Sequence, residues 1–346
     1  MYLCIQIEKN SMTTPKVTPI SIVMTTHDQA PELQRNLPRL LSLHYDPGFE
    51  VIVVDESSTD DTDDVLKQLK NEYSNLYTTY IPATSHYLSR RKLALMLGIK
   101  AAKNDWIILT EPDCHPDSGR WLEAMGEAMT DDVDTLCGYT AYEQGTKAKY
   151  VYLRMYTWWR QQRRPYRYDG ANLAIRKSAF MERNGFLQNL RYRRGEYDFI
   201  VNETDRSRIA TVKSEDSRMR QEEPTEKTWK NAQLHYMETR RHLKGAWMYR
   251  LVFVSMQLLR HLSCWLVPIA LIYTVIQGNS LYAALLAVVI LLLIGLSTFF
   301  CYRLAKAYGE KIPVWKMPLL DLWVGWHYIH YGMKYLLADK SDFIRK

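Results

Sequence analysis

The stretch IILTEPDCHP sets Glu111 and Asp113 on either side of a proline, at the point where an apolar run stops. Carboxylates at that spacing can sit around one hard divalent cation, Mg²⁺ or Mn²⁺, whose other positions go to water and phosphate oxygens. A cation held there would neutralise a diphosphate and stabilise it as a leaving group. An acid-x-acid triplet alone is common in surface turns, so its position must decide. Two more acids stand in similar places. Asp55 ends the run VIVVD, and Asp28 follows the run PISIVMTT. An acid at such a point can accept hydrogen bonds from a ribose or a nucleobase. Helix capping and turn formation are the competing uses. His27 suits a pocket wall or a cap better than a metal shell.

The elements that must position these acids follow from hydrophobic pattern. PISIVMTT, FEVIVVDES, LYTTYI and DWIILT read as buried strands rich in β-branched residues. APELQRNLPRLLSL, STDDTDDVLKQLKNEY and HYLSRRKLALMLGIKAAKN read as the intervening helices, the first kinked or ended near Pro38 and the second opened by hydroxyl and acidic residues. Such alternation predicts an α/β fold with a mostly parallel sheet covered by helices on both faces. Ligands of such sheets bind beyond the carboxyl ends of the strands. Asp28, Asp55 and the Glu111/Asp113 pair all fall there, which favours one shared pocket. After residue 116 the alternation weakens. SGRWLEAMGEAMT, KYVYLRMYTWWRQQRR and GEYDFIVNE suggest helices; DTLCGYTAYE and RYDGANLAIRKSAF suggest strands, the latter with a turn at Asp169–Gly170.

The chain has 346 residues and a formal net charge of +7, with Arg and Lys crowded into 147–194 and 206–261. That crowding precedes the longest apolar runs and suits an anionic membrane face; no nucleic-acid recognition motif accompanies it. Five cysteines, an odd number with no Cys-x-x-Cys pair, argue against a disulfide framework or a zinc knuckle and fit a reducing compartment. Residues 1–17 read as a loose leader without the basic start and apolar core of a signal peptide.

The last third changes solvent. Leu262–Gln277 and Leu281–Tyr302 carry no charge and are separated by only Gly278, Asn279 and Ser280, which predicts a transmembrane helical hairpin over 262–302. Arg and Lys flank both ends, so the positive-inside rule puts the N-terminal domain on the cytoplasmic side of a cytoplasmic (inner) membrane. Residues 246–261, apolar with spaced arginines, read as an interfacial helix. Residues 303–346 fit an interfacial or re-entrant segment, or a third span.

Several stretches together resemble family 2 inverting glycosyltransferases with the GT-A fold. PISIVMTTHDQAPELQRNLPRLLSLHYDPGFEVIVVDESSTDDT is similar to that family's opening, and LSRRKLALMLGIKAAKNDWIILTEPDCHP to its run into an Asp-x-Asp site. DGANLAIRKSAF and GEYDFIVNE resemble acceptor-side elements. WKNAQLHYMETRRH resembles the stretch bearing Gln-x-x-Arg-Trp, written here Glu238-x-x-Arg241-His242. The likeness covers 18–245 as a catalytic domain, and the hairpin fits membrane-bound members.

The resemblance implies roles. Thr26, Asp28 and Asp55 would hold the nucleotide, with Lys92 near the diphosphate. Asp113 would bind the cation, and Glu111, in place of the usual first Asp, would reach a ribose or the metal shell. The base should be an Asp after Glu or Asp, but the run is Gly195-Glu196-Tyr197-Asp198. A strict alignment puts Tyr197 at the base position, leaving Asp198 first and Glu196 second as candidates; both also suit a helix N-terminus. Arg241 would face the diphosphate with a planar fork. Arg240 and Arg241 equally suit a juxtamembrane basic cluster. Asn172 and His242 would meet the acceptor. Trp158 and Trp159 suit a sugar-stacking platform or, more simply, core and membrane packing.

The expectation is therefore a metal-dependent inverting glycosyltransferase. It would move a sugar from a nucleotide-diphospho-sugar, UDP first, to a lipid-linked or saccharide acceptor at the membrane, in glycan or cell-envelope polysaccharide synthesis. The hairpin is too small for a wide polymer channel. Glu111, Tyr197 and His242 depart from family usage, so a degenerate sugar-nucleotide-binding membrane scaffold is the alternative. A dinucleotide-dependent oxidoreductase would need a Gly-x-Gly-x-x-Gly turn after the first strand, and TTHDQAPEL has no glycine.

Overall fold

Side chains along the strand Ile20–Thr26 (β1) alternate between two cores. Ile20, Ile22 and Met24 join one apolar cluster, and Val23 joins the other. Residues one apart on a strand face opposite sides, and burial on both sides explains the unbroken apolar run. The computed structural model describes residues 18–83, 89–162, 165–339 and 343. The expected leader at 1–17, Cys4 within it, lies outside the described residues.

β1 pairs in parallel with Phe49–Asp55 (β2) and Trp106–Thr110 (β4), and β2 pairs in parallel with Leu76–Tyr80 (β3). Leu173–Arg176 (β8) joins antiparallel to β4 and to Thr135–Cys137 (β6), which is parallel to Ile209–Thr211 (β9). The sheet order is β3-β2-β1-β4-β8-β6-β9. One face is covered by the helices Ala30–Leu41 (α1), Thr62–Glu72 (α2) and Trp121–Glu127 (α4), through Leu33, Leu37, Leu66 and Trp121. The other carries Arg90–Ala101 (α3), Lys177–Glu182 (α6) and Glu196–Glu203 (α7), through Leu95, Phe180 and Ile200. α3 lies so close to β1 that a Cβ on Gly98 would come 2.5 Å from Val23 Cγ1, which only glycine avoids without repacking. The mixed α/β fold with a mostly parallel core sheet matches the expectation.

Two readings after residue 116 change. The run DTLCGYTAYE is not one strand. It breaks at Gly138, sending β6 into the main sheet and Thr140–Tyr142 (β7) into a small second sheet. There Met219–Gln221 (β10) lies between β7 and Cys114–Pro116 (β5), the segment directly after Asp113. The stretch KSAF, read within a strand, opens α6 instead.

The C-terminal third is helical. Ala148–Gln161 (α5) and Glu226–Thr239 (α8) contribute Tyr152 and Trp229 to an apolar cluster shared with Cys301 and Val324. The segment expected as a separate interfacial helix continues straight into the first apolar run as one helix, Ala246–Ile276 (α9), of 31 residues. Ser280–Ala307 (α10) has 28 residues. At a rise of 1.5 Å per residue both exceed roughly 40 Å. Among the described residues these two are the helices long and apolar enough to cross a membrane, and their apolar side chains are exposed along nearly their whole length. Met317–Leu337 (α11) packs on α8 and α10. A polar knot fastens these helices together. Asp321 on α11 accepts from Arg260 on α9 (2.5 Å), Ser297 on α10 (2.8 Å) and Tyr152 on α5 (2.9 Å).

Candidate active site

Register brings the sequence-predicted acids to one edge. Thr26 pairs with Asp55, and Met24 with Thr110. β2 and β4 flank β1, their axes roughly 10 Å apart, so Asp55 and Glu111 leave the same edge on either side of Thr26. The loop after β2 is fixed by its own side chains. Asp55 accepts from the Ser58 N–H (3.1 Å) and hydroxyl (2.5 Å). Asp28, at φ +51°, accepts from the Thr59 N–H at 2.6 Å, and that bond chiefly holds its carboxyl below the usual range. Asp60 accepts from the N–H groups of Ala30 and Thr62, joining the starts of α1 and α2.

At the end of β4 the Glu111 carboxylate is held by Arg91 and by the Tyr197 hydroxyl (2.7 Å). Arg91 also faces Glu196 at 3.8 Å. Lys92, expected at the diphosphate, is turned inward. It is buried, and its ammonium donates to the carbonyls of Asn189 (2.7 Å) and Tyr192 (2.6 Å). Burial lowers it to about 8. Adjacent helical residues point about 100° apart, so with Lys92 inside, Arg91 reaches the rim.

Asp113 is half-buried beside Glu111. Burial and, second, the Glu111 charge push its carboxyl up to about 6. It starts a chain of contacts that crosses the site. Gln221 Nε2 donates to Asp113 (2.9 Å), and Arg154 donates to Gln221 Oε1 (3.0 Å). Arg154 faces Asp169 at 4.0 Å, and Asp169 faces Arg167 at 3.5 Å. Arg167 donates to Asp198 at 3.2 Å, and the Tyr168 N–H donates to the same oxygen at 3.1 Å. Asp198 is buried; that raises it to about 6 although Arg167 opposes the shift. The metal candidate and the base candidate are thus two ends of one network.

Buried side-chain atoms without a partner gather at this edge. Thr26 Oγ1, Arg90 Nε, Arg91 Nε, Thr110 Oγ1, His115 Nδ1 and Glu196 Oε1 make six of the ten among the described residues. Folded proteins rarely leave such atoms unpaired, so the edge is shaped for a polar ligand. Among the described residues no group of three His, Cys, Asp or Glu side chains could hold a metal alone. Asp113 fits a cation whose shell is completed by water and ligand oxygens. Glu111, already held by Arg91 and Tyr197, fits the outer position better than a direct ligand.

Three other expected residues are elsewhere. Asn172 is fully buried, donating to the Ser217 carbonyl (2.7 Å) and accepting from Trp121 (3.3 Å), so it is a core bracket without a face for an acceptor. Arg241 reaches the Tyr335 hydroxyl at 3.4 Å. His242 bonds Glu238 at 2.7 Å and stacks on Tyr192, at ring centroids 4.3 Å apart. Both sit behind the N-terminus of α7, where Thr239 packs on Gly195. Trp158 is buried between Tyr139 and Tyr168, and Trp159 packs on Phe300 of α10, so neither offers a free platform. Sequence reasoning missed Arg91, Arg154, Arg167 and Gln221. Only Arg91, one position from Lys92, lay next to a residue already in view.

The model of the family described as Glycosyl transferase family 2 matches residues 21–188. No curated protein matches the chain by sequence. Among solved structures, the mannosyltransferase PcManGT from Pyrobaculum calidifontis, in complex with GDP-Man and Mn²⁺, is 15% identical with a TM-score of 0.51, covering 66% of this chain and 65% of that one. TarS 1–349 of S. aureus, in complex with UDP-GlcNAc, is 15% identical with a TM-score of 0.48, covering 65% of each chain. The match therefore spans just under two thirds of the length of these neighbours. Residues 21–188 are thus similar to the family 2 glycosyltransferases by sequence, and the fold around the site is similar to that of the mannosyltransferase.

Proposed function

We propose that the chain is an inverting glycosyltransferase that takes a sugar from a nucleotide-diphospho-sugar and gives it to a lipid-linked or membrane-proximal saccharide. The observation that carries this reading is the side-chain chain from Asp113 through Gln221, Arg154, Asp169 and Arg167 to Asp198. It joins an anchor for the leaving diphosphate to a carboxylate poised near pH 6 for proton transfer. Thr26, Asp28 and Asp55 line the nucleoside side. A divalent cation, Mn²⁺ or Mg²⁺, would supply Lewis-acid charge at the diphosphate, with Asp113 as its protein ligand and Glu111 behind it. Asp198 takes the proton of the acceptor hydroxyl. That oxygen attacks the anomeric carbon from the face opposite the diphosphate, the sugar–phosphate bond breaks with its electrons on the nucleotide, and configuration inverts. Glu196, with one unpaired oxygen beside Arg91, is the second candidate for base.

The donor to test first is a UDP-sugar, with GDP-mannose next because the mannosyltransferase neighbour is in complex with it. α9 and α10 support a membrane location, and the basic residues at both hairpin ends support a cytoplasmic catalytic domain. Nucleotide release should be measured with several donors, Mn²⁺ and a membrane lipid extract. Release that Asp113→Ala abolishes is the expected result; equal release from both proteins rejects the assignment. Tyr197, standing where the family pattern has an acid and bonded to Glu111, gives the scaffold alternative its footing. That alternative predicts donor binding with no turnover on any extract.

A further inference from the structure

Most enclosed arginines of the catalytic part have a carboxylate beside them: Arg91 with Glu111, Arg154 and Arg167 with Asp169, Arg176 with Asp134, Arg220 with Asp117; Arg90 and Arg183 are isolated exceptions. Three more half-buried arginines without such a partner gather in one place. Arg160 on α5, Arg240 at the end of α8 and Arg250 on α9 line a common cleft with Tyr166, Tyr236 and Tyr328, and among the described residues its wall contains no Asp or Glu. Among the described residues no carboxylate pairs with any of the three. Arg160 donates to the Tyr249 carbonyl (3.1 Å) and Arg250 to the Ala246 carbonyl (3.3 Å), which orients them without neutralising them. Gathering uncompensated cations costs self-repulsion, and an anion relieves it.

Size and place narrow the anion. Water centres have about 30 Å³ of room in the cleft, space for about two waters, which suits a phosphoryl group and excludes a sugar ring. The cleft opens at the first turns of α9, where Trp247, Met248 and Leu251 are exposed. Its wall residue Tyr236 also lies under Arg167, whose guanidinium is 3.6 Å from the ring centroid and bonded to Asp198. The cleft is therefore one side chain from the candidate base on one side and at the foot of an apolar helix on the other.

We propose that Arg160, Arg240 and Arg250 bind the phosphate that joins a saccharide acceptor to its lipid, leaving the saccharide hydroxyl to reach Asp198. This rests on the proposed transferase reading, and it deepens it by naming the acceptor's anchor. Phosphoryl chemistry is shared by lipid headgroups and free phosphate, so the test separates the sources. Binding to the purified full chain in neutral detergent is measured calorimetrically with four probes: farnesyl phosphate, farnesol, a short-chain phosphatidylglycerol and inorganic phosphate. Farnesyl phosphate should bind more tightly than farnesol. Arg240→Gln with Arg250→Gln should weaken it about 10-fold or more, while Arg240→Lys with Arg250→Lys keeps most of it. Donor-induced thermal stabilisation should not change in either variant. Equal binding of phosphatidylglycerol, or displacement by inorganic phosphate at similar concentration, would overturn the acceptor assignment. So would wild-type protein that treats farnesyl phosphate and farnesol alike, or a Gln variant that binds as wild type. Phosphate binding that stands without turnover on any donor would sink the transferase reading alone; turnover without phosphate preference would sink this inference alone.

Discussion

The two halves of the sheet edge treat their acids in opposite ways. On the β1–β2 side, exposed Asp28 and half-buried Asp55 are satisfied by N–H and hydroxyl groups of one short loop, Ser58 to Thr59. On the β4–α7 side, half-buried Asp113 and buried Asp198 are raised to about 6 and are held by residues distant in sequence, Gln221 for the first, and Arg167 with the Tyr168 N–H for the second. The first half is complete as it stands. The second sets five carboxylates, Glu111, Asp113, Asp169, Glu196 and Asp198, against three arginines, Arg91, Arg154 and Arg167. A neutral nucleoside needs shape and hydrogen bonds; a diphosphate with its cation, and a proton in transit, need unspent charge in a water-poor place. The proposed donor would meet this division with its two chemically different ends.

That division can be broken by substitution. The largest effect is expected from Asp113→Ala, which should lower kcat about 10³-fold or more and erase Mn²⁺-dependent thermal stabilisation by the donor. Asp198→Asn should lower kcat about 10²-fold with the donor KM unchanged. In the wild type, Asp198 must be ionised to take a proton, so kcat should fall as pH drops through about 6; a profile flat to pH 4.5 would remove it as the base. The same shift acts on stability with the opposite sense. Its folded value lies above the unfolded 3.8, so the folded state takes up the proton first, and this group's contribution to stability rises as pH falls from about 6 to 4. Lys92→Met leaves two carbonyls unpaired and should cost about 2 kcal/mol of stability, read in a denaturation curve, with donor KM unaltered. Loss of donor affinity instead would restore its expected place at the diphosphate. Smallest, Asp28→Asn and Asp55→Asn should each raise donor KM about 3- to 10-fold with little change in kcat. A kcat collapse in either would erase the contrast between the two halves.

The part of this site that could be read from the chain is the part built on regular parallel strands. Unbroken apolar runs ending in Asp55 and Glu111 fixed both the strand and the edge, because a strand buried on both faces has no other polar place to end. The apolar hairpin was equally plain. What the sequence concealed arises from long-range pairing. β10 has three residues, too few for any period, yet its pairing with β5 brings Gln221 to Asp113 from 108 positions away. Lys92 and Arg91 are both cations at the start of one helix, and only packing under Asn189 and Tyr192 decides which turns outward. Asn172 was expected at the acceptor because DGANLAIRKSAF resembles an acceptor-side element of the family; the fold uses its amide to join Trp121 to Ser217. The spacer helix foreseen before the hairpin vanished into α9, since arginines as widely spaced as Arg250 and Arg260 do not interrupt a helix.

The knot at Asp321 has a mechanical meaning. One carboxylate gathers a residue from each apolar helix and one from α5, whose other end carries Arg160. A joint of that kind resists hinging, so if α9 and α10 cross a bilayer as proposed, the site would be carried at a set height and tilt above it. Substrates would then be sorted by reach: an acceptor whose reactive hydroxyl stands too close to its lipid, or too far along its glycan, would miss the site however well its sugars fit.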